Sequence, residues 1–149
     1  MFKPAIALLP ALVLLSACGQ GDPAVTVTDA VVRLPAVQGN PGAAYFTLHA
    51  NRTPMRLLGV SSRQVQRIEL HESEMAGGRM RMGPLEDNSF TAEGVKVFEE
   101  GGAHAMLFGI SPSIRAGGVI QITFDFDNAP DVTMDVPVET AGGMGGHAH

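Results

Sequence analysis

Val119-Ile120-Gln121-Ile122-Thr123-Phe124-Asp125-Phe126 changes side-chain character residue by residue. Ile120, Ile122, Phe124 and Phe126 fall on one side of an extended chain, and Gln121, Thr123 and Asp125 on the other, because successive side chains of a strand point to opposite faces. A period of two in β-branched and aromatic residues predicts a half-buried strand, not a helix. Similar runs recur outward from it. They predict strands at Val25–Leu34, Ala43–His49, Met55–Ser61, Val65–His71, Arg79–Met82, Lys96–Glu99, Ala103–Ile110 and Val132–Val138. Turn formers separate them, among them Gly39-Asn40-Pro41-Gly42, Asn51-Arg52-Thr53-Pro54, Gly101-Gly102 and Gly117-Gly118. No stretch of the mature chain carries a helical period. Short, evenly spaced strands of this kind build an all-β fold, an antiparallel sandwich or barrel.

The 149 residues suffice for one well-cored domain and not for two. The formal net charge is −5, and the 10 Lys and Arg are nowhere clustered. Nucleic-acid binding needs a basic stripe, so that class is excluded. A single cysteine, Cys18, leaves no internal disulfide to form. The mean hydropathy of +0.14 owes much to residues 1–17, MFKPAIALLPALVLLSA, whose one charge is Lys3. A basic start, a short apolar run and a small-residue end read as a secretory signal, too short to span a bilayer. Leu15-Ser16-Ala17-Cys18 looks like a bacterial lipobox. On that reading Cys18 is acylated and becomes the first mature residue, and the domain is tethered to a membrane without crossing it. Gly19, standing where Asp favours inner-membrane retention, points to the outer membrane. The expected organisation is a signal at 1–17, a tether at 18–24, one β-domain at 25–140 and a flexible tail at 141–149. With Cys18 used as the anchor, the folded domain holds no thiolate.

The chemistry lies in the 5 His and 8 Met. His71 stands at the end of a predicted strand, Met82 follows after ten residues, and His104-Ala105-Met106 after twenty-one more. Residues two apart on a strand share a face, so His104 and Met106 can present an imidazole and a thioether side by side. If hairpins bring these strand ends together, two imidazoles and two thioethers converge. Thioether sulfur is soft and neutral; it suits Cu(I) and is a poor ligand for Zn²⁺, Mg²⁺ or Ca²⁺. Blue-copper electron transfer requires a Cys thiolate, which the domain lacks, so the donors favour binding without redox cycling. Met75 and Met80, read as lying in the loop after His71, are substitute-ligand candidates. Met55 and Met134 read as core filler, His49 as a strand-end histidine, and Glu69, Glu72 and Glu74 as a solvated rim.

The spacing His71-x10-Met82-x21-His104-x-Met106 matches without a gap the metal-binding motif of the PCuAC-type periplasmic copper chaperones, which the chain resembles from about Val25 to Val138. Ala44-Tyr45-Phe46-Thr47-Leu48, Met80-Arg81-Met82 and Gly102-Ala103-His104-Ala105-Met106-Leu107 also resemble that family. The resemblance implies a cupredoxin-like, Greek-key β-sandwich holding one Cu(I) on His71, Met82, His104 and Met106. It further implies a periplasmic monomer delivering copper to the binuclear copper centre of cytochrome c oxidase, alongside Sco-type thiol proteins. Competing readings are a copper buffer for tolerance and a metal-free interaction module. A copper enzyme fits least, since two thioethers disfavour the Cu(II) half of a cycle.

The tail, Ala141 to His149, carries Met144, His147 and His149 among four glycines. Imidazoles at short spacing can share one ion, and with backbone nitrogens they suit Cu(II) better than Cu(I). The alternative is a solvated chain end with incidental histidines. Deleting residues 141–149 separates the two. Metal capture by the tail predicts loss of a second, weaker Cu(II) site in equilibrium titration with the Cu(I) site intact, and a passive tail predicts no change.

Overall fold

A computed structural model describes residues 22–142. Residues 1–17, Cys18, Met144, His147 and His149 lie outside them. The described residues contain ten strands and no helix. They are β1 (Val25–Arg33), β2 (Gly42–Ala50), β3 (Met55–Ser61), β4 (Val65–Ala76), β5 (Arg79–Pro84), β6 (Ser89–Phe90), β7 (Val95–Phe98), β8 (Ala103–Ile110), β9 (Val119–Phe126) and β10 (Val132–Glu139). Every strand expected from alternation is present, and β6 is an addition too short to show a period.

Hydrogen bonding orders the strands β5-β4-β8-β2-β1-β10-β9-β3-β6, with β7 also on β2. All pairs are antiparallel except β1 with β10, which run parallel through Val32–Val138 and Arg33–Glu139. The expectation of an antiparallel sandwich is corrected at that one seam. The sheet folds over an apolar interior to which the strands other than β5 contribute. Ile120, Ile122, Phe124 and Phe126 of β9 are buried there, while Val119, Gln121 and Asp125 are exposed. From β2 come Ala44, Phe46 and Leu48. Phe46 joins the layers: it stacks on Phe98 of β7 at 4.3 Å between ring centroids and meets Phe124 of β9 edge-on at 4.8 Å. Met55 is buried in this core and Met134 packs against it.

Two local features place the elements that matter for function. The first is the edge of β2, which is shared. Gly42, Ala43 and Ala44 pair with β8, whereas Phe46 to His49 pair with β7. Strands β7 and β8 therefore form one interrupted line, and Glu99–Gly102 is the excursion between them, closed by bonds from Glu99 N to Ala103 O and from Gly102 N to Glu99 O. The second is the β4–β5 hairpin. Gly77 and Gly78 have φ of +60° and +74°, the pair of left-handed residues that a two-residue type I′ turn needs. That turn keeps β4 extended to Ala76 and pairs Met75 with Met80. Met75, expected in a loop after His71, is a strand residue, Met80 lies in the strand expected at Arg79–Met82, and His71 lies within β4 instead of ending it.

None of the core contacts involves a metal donor, so the metal-free chain should give a β-type circular dichroism spectrum and a cooperative melt. Phe46→Ala should lower unfolding free energy by about 3–5 kcal/mol in denaturant titration. A loss under about 1 kcal/mol would mean that Phe46 does not join the layers.

Candidate metal centre

Strand β4 lies between β5 and β8, and its alternation separates core from site. Ile68 and Leu70 pack on the interior, so Glu69, His71, Ser73 and Met75 occupy the outer face. Across β8, Ala103, Ala105 and Leu107 are buried in the core, which turns His104 and Met106 outward. The register sets His71 opposite His104 and Glu69 opposite Met106. On the other side Ser73 faces Met82 and Met75 faces Met80. The four residues of the spacing motif thus meet on one outer sheet face, drawn from β4, β5 and β8.

This face is partly covered. Met82, His104 and Met106 line a depression of about 550 Å³ with Arg33, Tyr45 and Gly101. His104 is only 6% exposed although it faces away from the core. His71 is 19% exposed by its side chain, and its ring centroid lies 6.3 Å from that of His104 with 46° between planes. A metal–nitrogen bond of about 2.0–2.1 Å puts each ring centroid about 3 Å from an ion, so 6.3 Å is at the limit for two imidazoles sharing one.

Each imidazole has one nitrogen committed to an oxygen and the other left bare. His104 Nδ1 donates to the Gly102 carbonyl at 2.9 Å, which leaves the Nε2 lone pair unused. His71 Nε2 donates to Glu69 Oε2 at 3.1 Å. Its Nδ1 is buried and has no hydrogen-bond partner among the described residues. A buried nitrogen without a partner is costly unless something else uses its lone pair. An oxygen on one ring nitrogen and a free lone pair on the other is the usual arrangement of metal-binding histidines.

The thioethers complete a soft donor set. Met106 is partly buried, whereas Met82 is 56% exposed, so the site has one open side. Among the described residues, no group of three or more His, Cys, Asp and Glu side chains gathers as a metal site. The capacity to hold a metal rests on pairing imidazole with thioether, which selects a soft monovalent ion such as Cu(I). His49 takes no part; its Nε2 lies 3.1 Å from Thr28 Oγ1 on the β1–β2 ladder.

Two groups were not singled out as site residues. Glu69, expected on a solvated rim, instead holds His71 and is itself held by Arg67 at 2.7 Å. Its position two residues before His71 on a strand was the available signal. Arg33 lies beside the depression, bonded to Glu100 at 2.7 Å and stacked 5.3 Å from the Tyr45 ring centroid. Burial, then the Glu100 carboxylate, pushes the Tyr45 phenol above its usual range against the opposing pull of Arg33, so the hydroxyl stays neutral. Glu72 and Glu74 are exposed on the opposite face of the hairpin.

The LpqE-like lipoprotein family matches residues 25–138, and the chain belongs to that family. Among curated proteins, the uncharacterized protein RP573 of Rickettsia prowazekii (strain Madrid E) is 31% identical over 106 residues, 68% of this chain and 59% of that protein. The chain thus spans less than two thirds of that relative's length. The fold is that of PCuAC domains. The copper-bound PCuAC domain from PmoF2 superposes with a TM-score of 0.63 at 21% identity, covering 79% of this chain and 94% of that one. Apo-DR1885 from Deinococcus radiodurans does so at 0.60 and 22%, covering 95% and 97%. The CuI-DR1885 structure gives 0.60 at 23%, with 83% of each chain covered.

Replacing His104 with Ala should weaken Cu(I) binding by at least about 10–100-fold in a chelator competition, and Glu69→Ala should fall within that range by releasing His71. His49→Ala should change nothing; equal effects of His104 and His49 would refute the donor set. Protons and metal compete for the same imidazole lone pairs, so affinity should fall as the medium is acidified. A site built from methionine alone would hold its affinity under the same acidification.

Proposed function

We propose that this protein is a Cu(I) carrier of the cell envelope, not an enzyme, and that His71, Met82, His104 and Met106 hold its cargo. The observation that carries the reading is the pair of imidazoles with one nitrogen each engaged by Glu69 and Gly102, leaving two bare lone pairs on the sheet face that also carries Met82 and Met106. Copper-bound and CuI-bound structures among the proteins of similar fold support it. Neutral donors leave the ion its single positive charge, and thioethers resist oxidation in compartments where a thiolate would be lost. The exposed Met82 edge gives an acceptor access without unfolding the sheet. The family's lipoprotein character supports an anchor through Cys18; on this reading the domain lies in the periplasm, and Gly19 favours the outer membrane as its support. The acceptor on this reading is the copper-centre subunit of cytochrome c oxidase, with Sco-type proteins as co-workers and the carrier acting as a monomer.

Mixing the Cu(I)-loaded chain with the purified apo copper-centre domain of the oxidase subunit tests this. Metal should appear in the acceptor within minutes, and His104→Ala should transfer none. Retention of copper by the wild-type chain against every acceptor, with growth impaired only at high copper when the protein is absent, would establish a buffer instead.

A further inference from the structure

Three methionines of the β4–β5 hairpin are exposed: Met75 at 66%, Met80 at 58% and Met82 at 56%. Only Met82 belongs to the donor set described above. Met75 and Met80 are directly opposed across the hairpin. The Leu85 N to Leu70 O bond fixes the alternation of the ladder, making Ala76–Arg79 a hydrogen-bonded pair and Met75–Met80 a non-hydrogen-bonded one. Pairs of that kind bring the α-carbons to about 4.5 Å and the side chains closest together. Both lie on the same face as Ser73 and Met82, hence as His71 and His104. Along the strand they stand two residues beyond Met82, about 7 Å further from the buried His104.

From this placement we infer that Met75 and Met80 form an outer thioether station that captures a soft monovalent cation and passes it to Met82 and the imidazoles. The inference rests on the carrier reading, which assigns these two residues no part. Two opposed thioethers suit an ion that accepts low coordination numbers, and they bind it weakly enough to release it. Methionine has three rotatable bonds, so a sulfur on Met82 can reach toward either neighbour. The Gly77-Gly78 turn holds the opposed pair at the tip, where incoming metal arrives first. By alternation the other face of the hairpin carries Glu72, Glu74 and Arg81, with Met82 bordering them as well, whereas Met75 and Met80 lie on the side that leads to His104.

The test uses the full chain with carbon-13-labelled methionine methyl groups, titrated with Ag(I) as a redox-silent substitute for Cu(I). In the wild type, Met82 and Met106 signals should move during the first equivalent, and Met75 and Met80 signals during a second, weaker event. In the M75L/M80L double variant the second equivalent, read as bound Ag(I) per chain, should be lost while the affinity of the first stays within about twofold. Its rate of Cu(I) capture from a chelator complex should fall at least about tenfold. Leucine keeps the bulk and apolar surface, so wild-type stoichiometry and capture rate in the variant would overturn the station and leave an apolar patch. Persistence of the first event in His104→Ala would bring down the carrier reading itself. Persistence of the second equivalent in M75L/M80L would remove only this inference.

Discussion

The antiparallel register of β4 against β8 puts His71 opposite His104, and the rest of the site follows from it. Strand side chains alternate with a period of two, so a slip of β4 by one residue would turn His71 toward the core, away from His104, and Ile68 and Leu70 toward water. The same apolar contacts that fill the interior therefore hold the metal face in place. Ala103, Ala105 and Leu107 on one strand and Ile68 and Leu70 on its neighbour make that slip costly. The Glu99–Gly102 excursion adds the second constraint, since it delivers the Gly102 carbonyl that decides which nitrogen of His104 carries the proton.

Much of this was legible in the chain. Strands such as β9 and β2 alternate cleanly because one face meets the core and the other meets water, and period and burial agree there. The convergence of His71, Met82, His104 and Met106 could be anticipated from the two-residue step between His104 and Met106 and from the family spacing. What escaped notice has physical reasons. The two residues of β6 are too few to show a period. The parallel seam between β1 and β10 depends on a distant pairing that no local pattern encodes. The loop assigned around Met75 failed because Met and Glu are weak strand markers, while Gly77-Gly78 is a strong hairpin signal that extends the strands on both sides. Glu69 looked like one more surface carboxylate, and only the shared strand face reveals that it holds His71.

A soft site on the outside of a sheet separates two properties that are joined in many metalloproteins. The core of Phe46, Phe98 and Phe124 is complete without any donor, so loading and unloading the face need not disturb it. The candidate donors come from three neighbouring strands whose spacing is set by backbone hydrogen bonds, which on the carrier reading would lower the cost of ordering on binding.

Strand β1 has a further consequence for a tethered protein. Val25, at its start, pairs with Ala50, whereas Arg33, at its end, borders the depression beside His104. Eight residues of strand at about 3.3 Å each separate those two points, a distance of about 25 Å. The proposed anchor at Cys18 would therefore enter the domain at one pole, while the face carrying His71 and His104 lies toward the other. Screening lengths at physiological salt are about 8 Å. With the proposed anchor, the pole carrying the histidines would stand beyond the electrostatic reach of the headgroups, and the proposed cargo outside the bilayer's field.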